Sequence, residues 1–362
     1  MPDREIFRFK FQNFSTHRIY HILEILKEHK FNFMKKSRKY YLKLLKNEIS
    51  RIYQYPKNSI NYFLMLFPVI EMIKYIESNE KQRPLTIRYS DLNKNPVITK
   101  KNLLKKGLEI FNLDKPLNMA GVILKNKLKI GNIPEFLGGY YTLQSIASLM
   151  PVITLNPQRG ERILDLAAAP GGKSTHISEL MKNTGILVAN DKNKSRINAL
   201  ASSIHRMGVS NCIITNMDGS ILPFLLGGFD KVLIDAPCSG TGIISHDPYI
   251  KGKNIYKKAS SYFSSQKRLL LAAIDCCNKK SPSGGTIVYS TCSILVEENE
   301  CVIQYAIKNR SVQIIETRLK FGMPGYKKFK NLVFDKRMEK CRRFFPHIHN
   351  TDGFFVCKLK KI

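Results

Sequence analysis

Two cysteines close two apolar runs of the chain, one in Asp235-Ala236-Pro237-Cys238-Ser239-Gly240 and the other in Ser290-Thr291-Cys292-Ser293. A thiolate adds readily to electron-poor carbons, and one such carbon is C6 of a cytosine ring. Carbon 5 of that ring is too poorly nucleophilic to take a methyl group directly. Addition at C6 turns it into an enamine-like centre that can attack a methyl sulfonium. The same chemistry asks for an acid near N3, for which Asp235 is suitably placed, and for a second group that helps remove the C5 proton or release the adduct. Cys238 fits the second part. Cys292 precedes the helical stretch LVEENECVIQYAIK, whose N-terminal dipole would favour a thiolate. A regulatory disulfide between the two is the competing reading, disfavoured in a reducing compartment. Eight cysteines without a CxxC pair suggest neither a disulfide framework nor a zinc ribbon. Cys212, Cys276, Cys277, Cys301 and Cys357 read as small buried hydrophobes, and Cys341 lies in a basic stretch without an evident partner.

A methyl donor needs a pocket. The segment AAAPGGK, Ala167 to Lys173, joins an apolar run to a helical one, and Gly171 with Gly172 lets the backbone approach a ligand at a helix N-terminus. Gly172-Lys173-Ser174 ends like a phosphate loop, but the first glycine of that motif would fall at Ala167, and the dinucleotide fingerprint is missing as well. Asp191 ends the next apolar run, where a carboxylate can accept hydrogen bonds from ribose hydroxyls. Asp218 ends the third, within reach of an adenine edge. A glycine loop followed by two acids at successive strand ends describes a nucleoside site without a polyphosphate, which S-adenosylmethionine fits.

These residues need a sheet to hold them. ERILDLA, GILVAND, NCIITNM, FDKVLIDA and GGTIVYS are apolar runs ending in polar or small-residue turns. Most precede helical stretches: STHISELMK, KSRINALASSIHRMG, ASSYFSSQKRLLLAAIDCCNKK and VEENECVIQYAIKN. The alternation predicts a parallel, doubly wound α/β sheet over residues 144–362, with ligands at the carboxyl ends of its strands. A final strand, GFFVCKLK, follows a basic stretch from Lys320 to Arg343. Residues 1–82 read as a basic helical region, with apolar spacings of three and four in HRIYHILEILKEH, YYLKLLKNEISRIY and the packed helix INYFLMLFPVIEMIKYI. Residues 83–143 read as a small α+β module, with strand-like PLTIRYS, AGVILK and KLKIG around one helical stretch, ITKKNLLKKGLEIF; its functional reading is an RNA platform and its bland one a spacer.

The net charge is +31. Residues 161–300 carry only +4 of it, while residues 1–60, 61–160 and 301–362 carry +9, +7 and +11. One charge run is most simply a solvated face, but flanks of a single sign point to a polyanion, and nucleic acid is favoured because no stretch reads as a membrane span. The opening MPDREIFRFKFQNF lacks the apolar core of a signal peptide, so an intracellular protein is expected.

Taken together, LDLAAAPGGKSTHISELM, the Asp191 and Asp218 strand ends, DAPCSGTG and STCSILVEENE resemble the motifs of the Nol/Nop/Sun (Fmu-type) RNA cytosine-C5 methyltransferases. INYFLMLFPVIEMIKYIESNEKQRPLTIR, GGYYTLQSIASLMPVI, HRMGVSN and RRFFPHIHNTDGFF are similar to its eukaryotic nucleolar branch, which methylates large-subunit ribosomal RNA; the resemblance spans roughly residues 38–360. It implies a class I, Rossmann-like methyltransferase domain. It implies Cys292 as nucleophile, Cys238 as the release cysteine, and Asp235 and Lys173 facing the target base. It further implies that Ala167, Ala168, Ala169, Pro170, Gly171, Gly172 and Lys173 with Asp191, Asp218 and Asp235 cradle S-adenosylmethionine. Ribosomal RNA and pre-ribosomal particles are the implied partners, the nucleolus of the nucleus the implied location, and a monomer the implied state outside the particle.

Departures from the pattern are Ala167, where members often carry cysteine, and Ser90, where an asparagine usually follows the TIR strand. The long charged N-terminal extension of the nucleolar branch is missing from these residues, so nucleolar retention is expected to depend on other surfaces. His347-x-His349 with Asp352 has a metal-ligand look, but the resemblance sets it beside a terminal strand without metal, and none is expected. Other readings stand beside the leading one: a tRNA methyltransferase, an assembly scaffold whose methylation is dispensable, a DNA cytosine methyltransferase with Cys238 as nucleophile, and, remotely, a P-loop NTPase.

Overall fold

The computed structural model describes residues 14–27, 36–92, 95–125, 129–253, 255–282 and 284–362. The opening stretch through residue 13, the end of the first helical segment past Lys27, and Lys127-Leu128 of KLKIG lie outside them.

Four helices come first: α1 (Phe14–Lys27), α2 (Arg38–Tyr53), α3 (Lys57–Leu66) and α4 (Val69–Asn79). Their apolar stripes, such as Ile19, Ile22, Leu23 and Leu26 of α1, are buried. Residues Ile60–Ile76 are two helices and not the single one expected, because Pro68 has no N–H to give and forces Phe67 into an extended conformation (φ −131°, ψ 147°). The break aims two tyrosines at the α/β domain that follows. Tyr75 donates to Thr241 O at 3.0 Å, and the Tyr62 hydroxyl accepts the Val296 N–H at 2.9 Å.

The module has β1 (Leu85–Tyr89), α5 (Pro96–Lys105), β2 (Glu109–Asn112), β3 (Ala120–Lys125), a one-turn α6 (Pro134–Leu137) and β4 (Tyr141–Leu143), in an antiparallel sheet of order β2-β3-β1-β4. Asn95 caps α5, accepting the Val97 N–H at 2.9 Å, with Pro96 at its first position. The helix stops at Gly107 (φ 83°), and the rest of the expected helical stretch becomes β2. KLKIG is not a strand where it is described: Ile130–Asn132 form a single 3-10 turn. Ile87, Leu103, Ile123 and Tyr141 fill the space between this sheet and its helices.

The larger sheet follows α7 (Ile146–Leu155) and runs through β5 (Arg162–Asp165), α8 (Gly172–Met181), β6 (Ile186–Asn190), α9 (Lys194–Arg206), β7 (Cys212–Thr215), β8 (Lys231–Asp235), α10 (Ile255–Cys276), β9 (Thr286–Thr291) and α11 (Glu300–Asn309). The chain ends with β10 (Val312–Ile315), β11 (Met323–Pro324), the hairpin β12 (Lys328–Phe329) and β13 (Leu332–Val333), β14 (Arg342–Phe344), α12 (Pro346–His349) and β15 (Phe354–Lys361). Strand order is β11-β14-β15-β9-β8-β5-β6-β7, with β10 also on β15. Strands β5 to β9 pair in parallel, as expected for a Rossmann-like domain. The terminal β15 instead enters antiparallel to β9, and β7, an edge strand, leaves Ile213 55% exposed despite its apolar sequence. Adjacent β5 and β8 form the switch point of the sheet, where the crossovers diverge and a crevice opens. Among the described residues no helix is long and apolar enough to cross a membrane.

Candidate active site

At the carboxyl ends of β5, β6, β8 and β9 lies a cavity of about 730 Å³, lined among others by Ala167, Ala169, Asp191, Asp218, Asp235, Cys238 and Cys292. Gly171 makes the turn into α8 with φ 103°, and a Cβ there would stand 3.0 Å from Leu200 and Ser203, so only glycine fits. Gly172 is not so constrained, since a Cβ would meet nothing nearer than 3.8 Å. The loop does not offer all its residues to the cavity. Ala168 packs against Leu200 and Ile204, Pro170 faces solvent, and Gly171 and Gly172 shape the turn behind the wall.

Asp191 first holds this loop: its Oδ2 accepts the Ala169 N–H at 3.1 Å and its Oδ1 the Asn193 N–H at 2.9 Å. Carboxylate lone pairs remain for a ribose. Asp218 accepts from Lys192 Nζ at 2.7 Å and from the Ser220 N–H and hydroxyl at 3.0 and 2.8 Å, and these bonds, that to Lys192 foremost, lower its carboxyl to about 2. Of the cations lining the cavity, Lys192 and Arg196 are paired to Asp218 and Asp191, and Arg268 lines it as well. Between those acids and the thiols, Leu166, Pro237, Ile250 and Leu269 supply an apolar wall. The residues fit S-adenosylmethionine: acids for hydroxyl and amino groups, and an apolar slot for a base.

At the other end, Cys238 Sγ and Cys292 Sγ are 3.2 Å apart, both free thiols. The hydrogen bond to Cys292, with burial, holds the Cys238 thiol well above the usual range, and either sulfur can be the donor in the contact between them. Lys173 Nζ lies 2.6 Å from Asp235 Oδ2 and 3.0 Å from Ser148 Oγ, and Ser290 Oγ donates to Asp235 Oδ1 at 2.7 Å. Of the four residues expected to act on a base, Asp235, Cys238 and Cys292 line the crevice, and Lys173 stands behind them on Asp235. The expected dipole at Cys292 does not apply: α11 begins only at Glu300, and turn residues intervene.

Sequence reading passed over three groups. Glu298, fully buried, accepts from the Ser239 N–H and hydroxyl beside Cys238; nothing marked it within VEENE. Asp165, fully buried at the end of β5, follows the same acid-at-strand-end pattern that singled out Asp191. Arg88, also fully buried, crosses from β1 to Gln144 Oε1 (2.9 Å), Thr175 Oγ1 (2.8 Å) and the Glu179 carboxylate, docking the module against the helix that carries Lys173. The histidine pair gathers no ligands: His347 Nε2 faces Glu71 at 3.2 Å, His349 Nδ1 accepts the Phe345 N–H at 3.0 Å, and no metal-holding group occurs among the described residues.

Comparison with known proteins agrees with this geometry. The family model described as 16S rRNA methyltransferase RsmB/F matches residues 152–360. A 28S rRNA (cytosine-C(5))-methyltransferase of Mus musculus is 44% identical over 326 residues, covering 90% of this chain; the chain spans 41% of that relative's length. The crystal structure of a methyltransferase homolog protein from Pyrococcus horikoshii superposes with TM-score 0.78 at 30% identity, covering 88% of this chain and 99% of that one. NSun6 from Pyrococcus horikoshii, solved with SFG, has TM-score 0.75 at 25% identity over 84% of this chain and 98% of its own.

Proposed function

The chain belongs to the 16S rRNA methyltransferase RsmB/F family, and on that premise we propose that it methylates carbon 5 of a cytosine in large-subunit ribosomal RNA, with S-adenosylmethionine as donor. The choice of large-subunit RNA rests on the 44% identity to a 28S rRNA (cytosine-C(5))-methyltransferase. The observation that carries the mechanism is the 3.2 Å contact between Cys238 and Cys292.

Residues of the Ala167–Lys173 loop with Asp191, Asp218 and Asp235 would hold the donor. When bound, it supplies an electrophilic methyl group on a sulfonium. Cys292 sulfur adds to C6 of the cytosine, forming a carbon–sulfur bond and moving the C5–C6 electron pair toward N3. The Lys173–Asp235 pair, 2.6 Å apart, meets that charge with a shared proton, and Ser290 fixes the carboxylate that faces it. Addition leaves C5 nucleophilic. After methylation a base takes the C5 proton, that C–H pair re-forms the C5–C6 double bond, and the C6–S bond breaks with its pair on the Cys292 sulfur; Cys238, 3.2 Å away, is the nearest sulfur to assist that release. The target base must be unpaired or flipped, since C6 is inaccessible inside a stacked helix.

The basic flanks would hold the RNA through its phosphates, with the helical region and the 83–143 module on either side of the target. Pre-ribosomal particles in the nucleolus are the corresponding partners and place of action, with a monomer outside the particle. Bisulfite sequencing of ribosomal RNA from cells with wild-type protein and with Cys292→Ala tests the proposal. One large-subunit cytosine protected only in the first is expected; identical maps would refute it.

A further inference from the structure

A second cavity, of about 450 Å³, opens between the module's sheet and the catalytic domain, and it contains the end of the motif that gathers no metal. One face of that sheet, with Ile87, Ile123 and Tyr141, is packed in the module's own core. On the opposite face Arg88 is docked on α8, while the other end of that face lines the cavity. There Phe111 is 58% exposed and pairs with Val122 across the strands, with Thr86 on the same face. Across the gap, His246 Nε2 bonds Asp352 Oδ1 at 2.9 Å, and Arg83 Nη1 reaches Asn350 Oδ1 at 3.2 Å. The Asp352 bond raises the pKa of His246, favouring its cationic form at the rim.

Two attachments tie this cavity to the site already described. Ser145 and Ile146, on its wall, begin α7, and Ser148 one turn on accepts from Lys173 at 3.0 Å. Gly353, next to Asp352, packs so closely on Gly242 that a Cβ on Gly242 would stand 1.9 Å from its carbonyl oxygen, while the Gly242 N–H donates to Cys292 O at 2.9 Å. We infer that this cavity receives a nucleotide next to the target cytosine, its base stacked on Phe111 and its phosphate facing His246 and Arg83. An exposed aromatic, an apolar slot wide enough for a base, and two basic side chains at the rim, His246 shared with Asp352, are what single-stranded RNA uses. The base edge would meet Asn350, whose amide nitrogen is a donor and whose oxygen, which takes one bond from Arg83, has a second lone pair.

The inference rests on the RNA-methylating reading of the Cys292 site, and the test separates the two. Full-length protein is irradiated with a large-subunit rRNA transcript carrying 4-thiouridine, and crosslinked peptides are mapped. Crosslinks both in the Cys292 segment and at Phe111 or residues 349–352 are expected. Crosslinks near Cys292 with none around the second cavity would overturn this subsite alone; none at either place would overturn the RNA reading and the subsite with it. In parallel, Phe111→Ala should raise the KM for the transcript about tenfold, as loss of one stacked base does, and Phe111→Tyr should restore it. Since Phe111 is exposed, the change should not unfold the protein, so an unchanged KM counts against the subsite.

Discussion

Glu298 Oε1 accepts the backbone N–H of Ser239 at 2.9 Å and Oε2 accepts its hydroxyl at 2.6 Å, so one buried carboxylate sets the position of the residue that follows Cys238. Its negative charge also helps keep the Cys238 proton in place. Glu298→Gln retains an acceptor but removes the charge. The variant should fold, and alkylation of Cys238, followed by mass spectrometry on Cys292→Ser protein, should begin at lower pH than with Glu298 present. Superimposed profiles would dismiss the electrostatic role. Glu298→Ala, which strands the buried N–H, should cost about 1–3 kcal/mol.

The two sulfurs can be told apart by trapping. With 5-fluorocytidine-substituted rRNA, wild type should form a denaturation-resistant adduct through Cys292, and Cys292→Ala none. On ordinary RNA, Cys238→Ala should accumulate the adduct that wild type releases. The opposite pattern would make Cys238 the nucleophile and overturn the assignment.

Charge outside the middle segment gives a prediction about salt. If the flanks neutralise about six to ten phosphates, affinity for the transcript should drop by about 10³–10⁵ between roughly 50 and 200 mM salt. An affinity that stays flat in filter binding would remove the basic flanks from RNA recognition.

The parallel strands were legible because each is a continuous apolar run closed by a small or acidic residue, the pattern that buried parallel sheets require. The same runs exposed Asp191, Asp218, Asp235 and both cysteines as strand-end groups. Less legible was whatever depends on partners distant in sequence. Period alone carried a helix through Pro68 and past Gly107, where one residue's backbone chemistry decides the outcome. Nothing local tells that β15 enters antiparallel, or that Arg88 in a strand finds Glu179 across 91 residues. The histidines of PHIH have a ligand-like spacing, and only the fold shows what they meet: Glu71 for His347 and the N–H of Phe345 for His349.

Arg88 and Glu179 form a buried ion pair, with 0% and 7% of their side chains exposed. Removing one partner of such a pair leaves a charge without compensation. Arg88→Met should therefore destabilise the protein by about 3–5 kcal/mol in urea unfolding, and Arg88→Met with Glu179→Met should recover much of that. If the single and double variants are equally unstable, the pair is not what docks the module.

Asp165 supplies a pH test. Its Oδ2 accepts the Ser174 hydroxyl at 2.7 Å, while Oδ1 has no partner among the described residues. Burial pushes its carboxyl from 3.8 up to about 7, outweighing the Ser174 bond and the Lys173 charge that act the other way. The folded protein thus keeps a proton that the unfolded chain releases, so this contribution is fully present below pH 3.8 and is lost as pH rises through about 7. At about 1.4 kcal/mol per pH unit, the loss is at most about 4 kcal/mol. Asp165→Asn keeps an acceptor for Ser174 and does not titrate. Its stability relative to wild type, from urea midpoints, should therefore rise between about pH 4 and 7.5. Histidine titrations common to both chains cancel in that difference, and Asp218, held at about 2, changes charge below the window. A constant difference across it would mean that water or a bound ligand already satisfies Asp165 as a carboxylate.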